Sequence, residues 1–235
     1  MKMILGVIIF FFSVAVYAQK EVIIPAHGKD SLAFVPKAWH IITRAKGDLN
    51  KDGKADIALV VEDTNASNFI KNESLGEREL NTNSRYLIII FRDGEGYKLA
   101  AVHKNFIPPA GDEDATCLAD PLLQDGGITI KKGVLLLDFH YWLSCGSYEV
   151  SHETYTLRWQ DNQFILIGYD SSEYSRSLGD ESSVSINFVT RKKAVTTGGN
   201  VFDDAQNKPK TVWKTIKIDT FITLQDLNRS TQIDF

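Results

Sequence analysis

The sequence predicts an all-β, antiparallel fold. Short runs rich in β-branched and aromatic residues recur along residues 19–235, turn residues separate them at short intervals, and no segment there sustains a helical period. Runs of this kind, closely spaced and without intervening helices, argue for antiparallel sheets in one domain rather than alternating β and α units.

The elements follow in order. Residues 1–18 read as a secretory signal peptide: Lys2 supplies the positive start, residues 3–16 are apolar, and Val16-Tyr17-Ala18 places small residues where cleavage before Gln19 requires them. The apolar run is short for a membrane span, and no cysteine follows it to carry a lipid anchor. The expectation is an exported protein, periplasmic or extracellular, whose residues 19–235 form a single all-β domain with no membrane span. Residues 39–43 read as a strand entering a polar loop at 48–56, and residues 57–61 as a strand leaving it. Residues 65–84 are polar and read as a long surface loop with a short helix near Glu73. Residues 85–91 and 97–103 form a hairpin about Asp93-Gly94-Glu95-Gly96, and residues 108–114 make an acidic break.

Residues 127–131 and 134–141 pair across the tight turn Lys132-Gly133. Residues 153–159 and 164–169 pair across Asp161-Asn162-Gln163. In the first of these, Tyr155, Leu157 and Trp159 alternate with Thr154, Thr156 and Arg158, the period of a half-buried strand. Residues 170–183 are serine-rich and read as a loop. Residues 184–189 and 211–224 supply the last strands, with a break at Gly198-Gly199.

The loop at 48–56 is the most informative stretch for chemistry. Asp48, Asn50, Asp52 and Asp56 put side-chain oxygens at positions 1, 3, 5 and 9, the carbonyl of Lys54 can add another, and Gly53 allows the sharp turn. An oxygen-only donor set of this number suits Ca²⁺ better than Mg²⁺, and the lack of His or Cys in the loop disfavours Zn²⁺. Loop position 12 is Leu59, where a helix–loop–helix calcium site has Glu, so the flanks are strands. Metal ligands are therefore expected at Asp48, Asn50, Asp52, Lys54 and Asp56, with calcium as a structural ion whose binding is linked to folding.

Cys117 and Cys145 are the two cysteines. An even count in an exported chain suggests one disulfide between them. The formal charge is −4, and loss of Lys2 with the signal makes it −5. That disfavours nucleic acid as a partner and is compatible with a basic protein.

With loop and hairpins in place, Gly47-Asp48-Leu49-Asn50-Lys51-Asp52-Gly53-Lys54-Ala55-Asp56-Ile57-Ala58-Leu59-Val60 resembles the calcium loop and following strand of FG-GAP/VCBS repeats, which build blades of integrin-type propellers. The resemblance implies antiparallel sheets in propeller-blade-like units. Asp120-Pro121, Ile128-Thr129-Ile130-Lys131-Lys132-Gly133-Val134-Leu135, Tyr155-Thr156-Leu157-Arg158-Trp159-Gln160 and Phe164-Ile165-Leu166-Ile167-Gly168-Tyr169 extend it. In that order they are similar to a family of secreted bacterial proteins with a single such loop. Some members are periplasmic immunity proteins that inhibit peptidoglycan-cleaving, lysozyme-like effectors. The chain departs from that pattern at Thr190-Arg191-Lys192, where many members have Thr-Gly-Lys, and in residues 143–148. The resemblance implies a calcium-binding module, with a basic, lysozyme-like enzyme as its partner.

Other candidates are weaker. Asp112, Glu113 and Asp114 read as a solvated acidic loop. His140 and His152 flank Cys145 in sequence, but no histidine pair has zinc-protease spacing and no nucleophile-elbow or phosphate-loop motif occurs. Tyr141, Trp142, Tyr148 and Tyr155 surround the second cysteine. They read mainly as sheet residues, with residues 144–151 a loop able to anchor a partner. Three readings stay open: a binding module that is not an enzyme, an envelope glycan or peptide hydrolase working through acidic residues, and a structural protein whose calcium only holds the fold.

Overall fold

A computed structural model of the chain describes residues 22–203, 208–229 and 233; the expected signal peptide at 1–18 lies outside the described residues. In chain order the strands are β1 (His27–Gly28), β2 (Trp39–Gly47), β3 (Asp56–Asp63), β4 (Phe69–Lys71), β5 (Glu79–Asn81), β6 (Arg85–Asp93), β7 (Gly96–His103), β8 (Gly127–Lys131), β9 (Val134–Trp142), β10 (Glu149–Gln160), β11 (Gln163–Ser175), β12 (Asp180–Asn187), β13 (Lys192–Asn200) and β14 (Lys210–Thr215). All described pairings are antiparallel. They form a five-stranded sheet ordered β1-β7-β6-β3-β2, a seven-stranded sheet ordered β14-β13-β12-β11-β10-β9-β8, and the small β4-β5 pair. The described strands are stacked sheets and do not close into a propeller ring.

Alternation decides which side chains meet. Ala58 and Val60 of β3, with Leu87, Ile89 and Phe91 of β6, share one core with Leu135, Leu137, Phe139, Tyr155, Leu157 and Leu166 of the larger sheet. The other parity, Ile57, Leu59 and Val61 with Ile88 and Ile90, packs on the opposite side around Phe34. Phe34 ends a 3₁₀ turn, Ser31–Phe34, whose N-cap Asp30 accepts from the amides of Leu32 and Ala33. The five-stranded sheet is thus covered on both faces. This is why β3 and β6 are apolar runs rather than alternating ones.

Two-residue turns close several hairpins as expected. Lys132 and Gly133 have φ of 54° and 75°, and Asp161 and Asn162 have 52° and 62°, the paired positive values of hairpin turns. Elsewhere the strands outrun their sequence signals. Residues 170–183, expected as a loop, continue β11 to Ser175 and begin β12 at Asp180. Their serines have no apolar face to bury, so periodicity does not reveal them, yet the ladder from Tyr174↔Glu181 to Gly168↔Asn187 is regular. Residues 149–151, expected in a loop, begin β10. Gly198 and Gly199, expected as a break, lie inside β13 opposite a bulge at Glu181/Ser182. No helix forms near Glu73; residues 65–84 fold instead around β4 and β5. The strand expected at 211–224 stops at Thr215, because Ile216 and Ile218 turn into the core and a 3₁₀ turn, Leu224–Asp226, follows.

Candidate functional site

β2 and β3 end face to face at Gly47↔Asp56, and the metal-like loop is the connection between them. Gly47 is needed at this point: a Cβ there would come within 2.5 Å of Ile130 Cγ2, so only a bare backbone lets β2 lie this close to β8. Leu49 anchors the loop by entering the main core. Positive φ at Lys51 (64°) and Gly53 (81°) folds its tip.

The loop's side-chain oxygens turn towards its own amides. Asp48 accepts from the N–H of Lys51 at 2.6 Å and of Gly53 at 2.9 Å. Asn50 Oδ1 accepts from Asp52 N at 3.0 Å, and Asp52 Oδ1 from Lys54 N at 2.8 Å. Asp56 is fully buried. Its Oδ2 accepts from Leu49 N at 2.8 Å and Asn50 N at 3.3 Å, and its Oδ1 from Arg92 N at 2.9 Å, across the β3–β6 edge. Burial raises the Asp56 carboxyl above its ordinary value. The three amide bonds oppose this without cancelling it, and Asp52 adds a smaller push in the same direction. Among the described residues, no three His, Cys, Asp or Glu side chains are gathered as a metal cluster. The loop's side chains and main chain carry carboxylate, amide and carbonyl oxygens.

At its other end β3 carries a buried ionic group that the sequence reading missed. Arg85 Nε donates to Glu62 Oε2 at 2.6 Å, while Nη1 and Nη2 donate to the two oxygens of Asp120 at 2.8 and 2.6 Å. Burial alone would lower the Arg85 guanidinium, but Asp120 and then Glu62 hold it above its ordinary value. Glu62 also accepts from Asn81 Nδ2 at 3.0 Å, which ties β5 to β3. A single Arg opening a strand had no partner visible in sequence, because Glu62 and Asp120 are remote along the chain.

Cys117 and Cys145 lie at disulfide distance, with Cα atoms 5.4 Å apart. The pairing leaves no thiol there for His140 or His152 to activate; those two rings face each other across β9 and β10, 6.2 Å between centroids. Tyr155 is buried and Tyr141 packs on the core, whereas Tyr148 is exposed. Arg176 holds the segment beside it by donating to the carbonyls of Leu143 at 2.6 Å and Ser147 at 2.8 Å, and it stacks 5.0 Å from the Trp142 ring. In the acidic break, Asp112 accepts from Asp114 N at 2.8 Å and makes a local turn. No described helix is long and apolar enough to cross a membrane.

The class these features define is an antiparallel β protein with an oxygen-rich hairpin loop. No protein-family model, curated protein or solved structure matches the chain.

Proposed function

We propose that the protein is an exported, calcium-stabilised β protein that acts by binding a protein partner, as a periplasmic inhibitor of a basic, peptidoglycan-cleaving enzyme. The observation that supports it most is the 48–56 loop. Its oxygen donors are held in one hairpin tip by positive φ at Lys51 and Gly53 and by the buried Asp56 clamp.

The donor chemistry fits the ion. A carboxylate has about four acceptor positions. Asp56 uses three of them on amides, and Asp52 Oδ1 takes a single amide bond, so acceptor capacity remains in the loop. Asp48, Asn50, Asp52 and Asp56 would hold Ca²⁺ through side chains and Lys54 through its carbonyl. When bound, the ion would supply positive charge to a loop that carries Asp48, Asp52 and Asp56. The partner half of the proposal is supported by the family resemblance and by the net negative charge.

Thermal unfolding with excess Ca²⁺ and with chelator, beside Asp52→Ala, tests the first half. Calcium at about a hundred times its Kd stabilises by about 2.7 kcal/mol, and only the native sequence should gain it. Equal midpoints in calcium and chelator would remove calcium from the proposal. Capture of a lysozyme-type enzyme in calcium, with loss of its activity, tests the second half; an enzyme that stays free and active would remove the inhibitor role.

A further inference from the structure

The apolar core runs out part-way along β10 and β11. Tyr155 and Tyr169 are its last members there, and Glu153, Ser151 and Ser171 occupy the next positions on the same face. Glu153 is held from two sides: Tyr155 Oη donates to Oε2 at 3.1 Å and Tyr169 Oη to Oε1 at 2.9 Å. Burial first, and the nearby Glu153 charge second, raise the hydroxyls of Tyr141, Tyr155 and Tyr169, the last to about 12. At neutral pH they remain donors, so the two hydroxyls that bond Glu153 fix its orientation.

In front of this carboxylate is a half-open cavity of about 290 Å³. Ser151, Ser171 and Ser182 line it with Glu153 and Glu173, and among the described residues no Lys or Arg lines it. Arg229, whose field reaches Tyr141, is exposed and is not part of the lining.

The acceptor count specifies the ligand. A carboxylate offers about four lone-pair positions. The tyrosines take one on each oxygen, which leaves one more on each. Two parallel N–H groups match that pair, and serine hydroxyls can accept further N–H donors. Glu173, whose Oε1 accepts from Ser182 Oγ at 2.9 Å, adds a second negative charge. A neutral polyol would leave both charges uncompensated, and an anion would be repelled.

We propose that this cavity binds a guanidinium or primary ammonium group. The proposal rests on the binding reading above and deepens it: the group belongs to an arginine or lysine side chain of the basic partner, and a free small cation is the other source of the same chemistry.

The test is amide NMR of the full-length mature protein titrated with agmatine, and with butylurea as a neutral control. Saturable shifts at Ser151, Ser171 and Glu173 are expected with agmatine alone. Glu153→Gln, which keeps the side chain's size, should weaken binding roughly tenfold or more, and Tyr169→Phe less. Absence of saturable shifts, equal shifts from butylurea, or unchanged affinity in Glu153→Gln would each overturn the proposal. A second arm measures capture of a lysozyme-type enzyme by both forms. Weaker capture by Glu153→Gln supports the side-chain source. Equal capture by both overturns that source while the binding reading stands. No capture by either, with agmatine still bound, leaves a small-cation site and counts against the binding reading alone.

Discussion

Asp56 and Glu62 stand near the two ends of β3, both buried, and the fold satisfies them differently. Asp56 has no cationic partner among the described residues and is held by three backbone amides, two from its own loop and one from β6. Glu62 is bonded by a buried guanidinium that also grips Asp120, a residue within the disulfide-bounded segment. The first solution is mostly local, and it leaves a negative loop that a cation would complete. The second is long-range, with one guanidinium from β6 bonded to both carboxylates. Where a buried acid finds its compensation separates a candidate site from a structural tie.

The ionic end should be the more sensitive of the two. Arg85→Met leaves two carboxylates without their cation and is expected to cost about 3–5 kcal/mol, read from urea unfolding. Glu62→Gln combined with Asp120→Asn in the Arg85→Met background should recover part of that loss. If it recovers none, the contrast between the two ends is wrong.

The cysteine pair supports the same end, because the segment it closes carries Asp120. Replacing both cysteines with serine removes a cross-link spanning 28 residues in sequence. The expected loss is about 3.5 kcal/mol by the chain-entropy relation. A midpoint that does not move between oxidised and reduced protein would mean that Arg85 and Asp120 hold the segment unaided.

At the loop end, Asp56→Ala orphans three amides and is expected to cost about 2–3 kcal/mol. This variant should also lose its response to calcium. A variant that keeps the full calcium shift would show that Asp56 only shapes the backbone.

The smallest effect concerns pH. His103, at the end of β7, is buried, and burial lowers its pKa below the ordinary 6.5, although contacts to the carbonyls of Leu227 and Gln225 oppose this. Its Nδ1 accepts from Asn105 N at 3.2 Å, as the neutral ring can. The neutral form's contribution is fully present above about pH 6.5 and is lost as pH falls through the lower folded value. His103→Gln should flatten stability in that acid window and leave the neutral range unchanged. An identical pH profile for both proteins would remove His103 from the account.

Much of the fold was legible because alternation and turn chemistry are local. Tyr155, Leu157 and Trp159 announced β10, and Lys132-Gly133 announced the β8–β9 hairpin. The oxygen spacing of the loop was legible for the same reason. The first half of β12 and the extension of β11 were not, because Ser171, Ser172, Ser182 and Ser183 bury no apolar face and their ladder forms only when neighbouring strands are present. Glu153 did leave a faint signal, since it shares the parity of Tyr155. Which hydroxyls would meet it depended on Tyr169 arriving from β11.

By itself, then, the sequence determined the class of fold, the positions of most turns and the donor spacing of one loop, since each depends on residues close together in the chain. Tertiary structure alone decided that Arg85 would bind both Glu62 and Asp120, and that Asp56 would be clamped by Arg92 N. It alone placed the tyrosine-held Glu153 in the lining of a cavity. The physical reason is that a buried charge or hydroxyl takes whatever partner the packed sheets bring to it, and no short-range pattern encodes which remote strand that will be.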